Sequence, residues 1–95
     1  MKYGHIGDGN LHVALFIDVM NADQWERLSQ AADRIHRAAM ELGGTVSSEH
    51  GIGLARAKYM PEQVGEEALQ VMRSIKRALD PLGILNPGKM GLEMR

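Results

Sequence analysis

An α+β fold of two strands and two to three helices is predicted by three features of the sequence. Apolar residues recur at helical spacing from Trp25 to Leu42 and again from Leu69 to Leu79. A run of strand formers spans 11–18, and a shorter stretch with two β-branched side chains spans 45–48. Glycine-rich segments separate these runs, at 4–9, 43–44 and 51–53. The order that results is strand, helix, strand, helices.

Each element has a local reason. Gly4-His5-Ile6-Gly7-Asp8-Gly9-Asn10 holds three glycines in its first six residues, which predicts a tight loop. Leu11 to Asp18 is mostly apolar and reads as a buried strand. Asn21 offers an N-cap with Gln24 three residues on, the spacing of a capping box. Trp25, Leu28, Ala32, Ile35, Ala39 and Leu42 then form the apolar stripe of a long amphipathic helix. Gly43-Gly44 closes it where a left-handed cap is wanted. Thr45 to Ser48 is expected to be the second strand, and Glu49-His50-Gly51-Ile52-Gly53 a second glycine-bracketed loop. Leu54 to Tyr59 suits a short helix closed by Met60-Pro61, because the residue before proline disfavours the helical region. The last helix is expected from about Glu66 to Leu79, with Leu69, Met72, Ile75 and Leu79 on one side. Its acidic first turn and Lys76-Arg77 near its end suit the helix dipole. Pro81 stops it, and Leu82 to Arg95 reads as a loop and tail.

Composition bounds the possibilities. The 95 residues suffice for one small domain with a modest core. With 44% apolar and 24% charged residues the chain reads as globular rather than disordered. A net charge of −1 with interspersed signs predicts neither a nucleic-acid surface nor a membrane surface. The absence of cysteine excludes a disulfide scaffold and thiolate metal ligation, and fits a cytoplasmic setting. No run is long enough for a signal peptide or a membrane span. Two strands do not make an independently stable sheet, so this chain is expected to pair with more of a larger protein or with a second copy of itself.

Two clusters carry chemistry. The first is His5, Asp8, Asn10 and His12, on a loop opening into a strand. Imidazole suits zinc, iron and related ions, though a core histidine and a solvated one would account equally well for the pair. The second is Ser47-Ser48-Glu49-His50-Gly51. In extended backbone, neighbouring side chains point opposite ways, so one of Glu49 and His50 can face a metal while the other faces a substrate. An exposed acid and a loop histidine are the plain alternative. Taken together, His5, His12 and Glu49 make three ligands with positions left open, as a catalytic ion needs, and His50 remains as an acid–base. His36 reads as a surface side chain, the methionines as core filling and tail residues, and Arg56 and Lys58 as solvated charges or contacts to an anion.

Three ordered blocks bear a family resemblance. They are Gly4-His5-Ile6-Gly7-Asp8-Gly9-Asn10-Leu11-His12, then Ser48-Glu49-His50-Gly51-Ile52-Gly53 with Lys58, then Leu79 to Lys89 with Asn86-Pro87-Gly88-Lys89. This pattern resembles the C-terminal signature of FAD-linked oxidases, a group that includes glycolate oxidase flavoprotein subunits, D-lactate dehydrogenases and D-2-hydroxyglutarate dehydrogenases. The resemblance implies a ferredoxin-like α+β C-terminal domain, of which residues 1–95 would be roughly the second half, with the FAD-binding domain absent. It implies that His5, His12 and Glu49 bind zinc, manganese or iron and that His50 acts on the substrate as a base. It also implies that Asn86 lies near the flavin, and that Asp8, Asn10 and Lys58 contact the substrate or support the ligands. Ala14 stands where some members carry a substrate-binding asparagine, which leaves glycolate- or lactate-type substrates more open than 2-hydroxyglutarate. The implied partners are a flavin-binding domain or subunit, a small 2-hydroxy acid and a possible second copy of the chain, without nucleic acid or membrane insertion. Alone, the chain is expected to be inactive. The competing expectation is a stand-alone metal-binding or structural dimerisation module. A hydrolytic metal enzyme would leave the Asn86 block without a role.

Overall fold

The computed structural model describes residues 1–18 and 20–92, and the chain divides into two units, Met1–Glu49 and one beginning at His50. Among the described residues the architecture is α+β, with two antiparallel strands and two long helices.

The first unit opens on a hairpin. Strand β1 (Lys2–His5) pairs with β2 (Asn10–Val13), with Tyr3 opposite His12 and His5 opposite Asn10. The loop is only 6–9. Asp8 N–H donates to the His5 carbonyl at 3.2 Å, and the Asp8 carboxylate accepts from Asn10 N–H at 3.1 Å, an Asx-type turn. Gly4 and His5, expected in a loop, are therefore strand residues. A Cβ on Gly4 would run into the Asn10 carbonyl across the ladder, so glycine here permits close strand approach rather than a turn.

The strand expected over 11–18 stops at Val13. In this register Ala14 already faces Met1, with Ala14 N–H donating to the Met1 carbonyl and the terminal ammonium to the Ala14 carbonyl. Nor is β2 apolar-in: Asn10 and His12 are half-buried, whereas Leu11 and Val13 are exposed.

Helix α1 (Ala22–Glu41) starts as expected, with Asn21 Oδ1 accepting from Gln24 N–H at 3.1 Å. Gln24 bonds back to Asp18 N–H at 2.8 Å rather than to the cap itself. The far end is a Schellman motif. Gly44 N–H donates to the Ala39 carbonyl and Gly43 N–H to that of Met40, with Gly43 at φ 79°. The stripe is only partly covered, with Leu28, Ala32 and Ala39 half-buried and Trp25, Ile35 and Leu42 exposed. His36 is half-buried rather than on the surface.

No strand forms over Thr45–Ser48. The Thr45 and Ser47 hydroxyls bond to each other at 3.1 Å, and the chain enters a 3-10 turn at Ser48–His50. Local side-chain bonding of this kind competes with a ladder. Val46 is buried all the same.

In the second unit a 3-10 turn at Ala57–Tyr59 runs straight into helix α2 (Met60–Leu79). Met60-Pro61 therefore begins a helix instead of ending one, since a first-turn residue has no N–H bond to lose. Gly65, at φ 80° and ψ 158°, interrupts α2, and the helix expected from Glu66 follows it. Ile52, Tyr59, Met60 and Leu69 are buried, while Ile75 and Leu79 of the expected stripe are exposed.

Asp80, just after α2, is a buried carboxylate at 4% exposure. It accepts from Ile84 N–H at 3.1 Å, Leu85 N–H at 2.9 Å and Lys76 Nζ at 2.5 Å. The Lys76 hydrogen bond, helped by the two backbone donors, holds its pKa below the ordinary value against the opposing effect of burial. Further on, Met90 N–H donates to the Gly53 carbonyl at 2.8 Å, tying the 3-10 turn Lys89–Gly91 to the glycine loop. No helix among the described residues is long and apolar enough to cross a membrane.

Candidate metal centre

Alternation along the hairpin builds the site. Side chains two apart on a strand share a face, and directly paired residues lie side by side across the ladder. Tyr3, His5, Asn10 and His12 therefore occupy one face. The two histidines, seven residues apart in sequence, become diagonal neighbours because the chain turns back between them.

Glu49 closes the group. Its Oε1 lies 2.8 Å from His12 Nε2 and its Oε2 lies 3.8 Å from His5 Nε2. One ligand atom from each of the three residues falls within 4.8 Å of the others. Asn10 Nδ2 donates to Glu49 Oε2, and Asp8 holds the Asn10 backbone. His12 is the better-covered histidine, at 20% side-chain exposure against 70% for His5. Its ring stacks on Tyr3 at 5.0 Å between centroids and 1° between planes.

These residues fit a divalent ion. Bonds of about 2.0–2.2 Å in tetrahedral geometry place ligand atoms roughly 3.3–3.5 Å apart, between the two separations from Glu49. The exposed His5 has room to swing inward. Two neutral imidazoles and one carboxylate form a mixed N,N,O set suited to zinc, iron or manganese. Asn10 Oδ1 points the same way, being buried without a hydrogen-bond partner, and a water on the ion would supply its missing donor.

The other predicted residues fall in the second unit. His50 is exposed and lines a shallow hollow with the Gly51–Arg56 stretch, where Arg56 donates to the Gly51 carbonyl at 2.9 Å. Arg56 is thus engaged with backbone rather than simply solvated. Lys58 lies 4.8 Å over the Tyr59 ring. Asn86 is exposed, at a left-handed φ of 47°. So His5, Asp8, Asn10, His12 and Glu49 are brought together within one unit, and His50, Lys58 and Asn86 belong to the other. Sequence reasoning missed Tyr3. Reading Lys2–His5 as a strand would have found it, since the pairing of His5 with Asn10 puts Tyr3 opposite His12.

Comparison with known proteins identifies the family. Residues 1–90 match the family described as FAD linked oxidases, C-terminal domain. The chain is 47% identical over 88 residues to glycolate oxidase subunit GlcD of Bacillus subtilis (strain 168), covering 93% of this chain and 19% of that protein. It is 40% identical over 87 residues to the probable mitochondrial D-lactate dehydrogenase of Danio rerio, covering 92% and 18%. A mitochondrial D-lactate dehydrogenase (cytochrome) of Saccharomyces cerevisiae is 41% identical over 87 residues, covering 92% and 14%. The chain thus spans less than a fifth of the length of these relatives. No solved structure matches it.

Proposed function

Since the chain belongs to the FAD linked oxidases, C-terminal domain family, we propose that it supplies the metal-ligand side of a site that oxidises a small 2-hydroxy acid. The observation that carries this reading is the convergence of His5, His12 and Glu49 ligand atoms within 4.8 Å. A bound divalent ion would supply Lewis acidity toward the substrate hydroxyl and carboxylate. The protein's part is to hold and orient. Asn10 fixes one carboxylate oxygen of Glu49, and Asp8 braces Asn10. His50, following Glu49 in the chain, is proposed to accept the hydroxyl proton, and Lys58 to meet the substrate's negative charge.

FAD enters through the family. In this proposal the flavin is held by a partner domain or subunit, as the family implies, and the exposed Asn86 lies near it. Without that electron acceptor the 95 residues would not turn over substrate. The names of the relatives make glycolate and D-lactate the favoured substrates, and Ala14 in place of a substrate-binding asparagine supports that choice. The cytoplasm is the proposed compartment, with the mitochondrial relatives marking the competing address.

The test is metal analysis of the purified chain by mass spectrometry, with light scattering for its solution mass. One equivalent of zinc, manganese or iron, lost in His12→Ala, is the expected result. A folded chain that takes up none of these ions would reject the reading. It would favour the second one, a structural dimerisation module, for which the exposed Leu11, Val13, Leu15 and Phe16 speak.

A further inference from the structure

We infer that Tyr3 is a positioning residue that locks the ring of His12 in the orientation a metal ion requires, an inference that rests on the metal reading above. A ligand histidine must keep the metal within its ring plane, yet rotation about the Cβ–Cγ bond of an imidazole is soft and broad. Proteins commonly restrain it through a hydrogen bond to the second ring nitrogen. In this hairpin a flat surface does so as well. The rings of Tyr3 and His12 lie 5.0 Å apart and parallel to within 1°. Turning the imidazole about Cβ–Cγ would give up this parallel stacking, which biases the ring toward its present plane.

The placement follows from backbone pairing. Tyr3 sits opposite His12, and the neighbouring Gly4 lets β1 lie close to β2. The electrostatics favour the same role. An imidazole bound to a divalent ion carries partial positive charge, and the electron-rich face of tyrosine attracts it. Tyr3 is 55% exposed, so it is ill explained as a core side chain. Its aromatic face is what matters, and the hydroxyl is dispensable.

The experiment uses the full 95-residue chain with cobalt(II), whose visible absorption reports ligand geometry. Tyr3→Leu is expected to weaken cobalt binding by about 10–100-fold, the usual loss when a group orienting a ligand histidine is removed, and to alter the absorption bands. Tyr3→Phe is expected to bind and absorb as the parent does. In metal-free protein the His12 ring protons should show the upfield NMR shift of a stacked ring in the parent and Tyr3→Phe, and lose it in Tyr3→Leu. Far-UV circular dichroism checks that both variants fold. Unchanged cobalt affinity and absorption in Tyr3→Leu, or no ring shift in the parent, would overturn the inference. Failure of the parent to bind cobalt would instead defeat the metal reading, and the ring shifts would still decide whether Tyr3 orients His12.

Discussion

Replacing Asn10 by alanine should separate metal binding from folding. The side chain does two opposed things in the metal-free protein. Its Nδ2 donates to the Glu49 carboxylate, and its Oδ1 is buried without a partner. A hydrogen bond to a charged group contributes about 1.5–3 kcal/mol; with the Glu49 side chain 43% exposed the lower end applies. An orphaned buried acceptor costs about 1–3 kcal/mol. The two nearly cancel, so metal-free Asn10→Ala should unfold within about 1 kcal/mol of the parent. With metal the balance changes, because Glu49 loses its orienting donor and affinity should fall about 10–100-fold. At a metal concentration about 1,000 times the parent's Kd, binding stabilises the parent by about 4.1 kcal/mol and the variant by only about 1.4–2.7 kcal/mol. Urea unfolding followed by circular dichroism, with and without manganese, measures both quantities. A metal-free loss above about 2 kcal/mol with an unchanged metal increment would make Asn10 a structural strut and refute the reasoning.

Two further outcomes concern the second unit. Asp80 has a folded pKa held below its ordinary 3.8, first by Lys76. Its contribution is therefore present above the unfolded value and lost as pH falls through the folded one. Urea midpoints measured from pH 6 down to pH 2 should fall on the acid side, and Asp80→Asn should flatten that fall; parallel curves would show that the carboxylate's charge is irrelevant. Leu69→Ala empties a site only 1% exposed and should cost about 2–5 kcal/mol in urea unfolding. A loss below about 1 kcal/mol would mean that this face of α2 is not packed in solution.

Much of α1 was legible from sequence because its signals are local. Asn21, Gln24 and Gly43-Gly44 act within a few residues of themselves. The three residues that converge were legible as a motif, His5 and His12 in one block and Glu49 in another. What sequence concealed depended on partners. Gly4 looked like a turn residue, but its purpose is to let another strand approach, and that is visible only once the register is known. Thr45–Ser48 has strand propensity without a ladder to satisfy it, and its hydroxyls bonded locally. Pro61 carries the same φ restriction whether it stops a helix or starts one, and Tyr59 and Met60 packing inward decided for a start. Asp80 passed without a role of its own in the sequence, because its place as a three-donor anchor needed Lys76, Ile84 and Leu85 in space.

The hairpin also makes the site vulnerable to a kind of change that leaves every ligand in place. Tyr3 and His5 on β1, and Asn10 and His12 on β2, share a face only because four residues, 6–9, separate the strands. Inserting or deleting one residue in that loop would shift the pairing by one, and in a ladder of period two such a slip turns a strand's side chains over. Leu11 and Val13 would then face Glu49 while His12 pointed away. The histidines would remain intact in any reading of the gene, and the centre would be gone. Among homologues of this hairpin, loop length is therefore as informative about whether the proposed metal centre is retained as His5, His12 and Glu49 themselves.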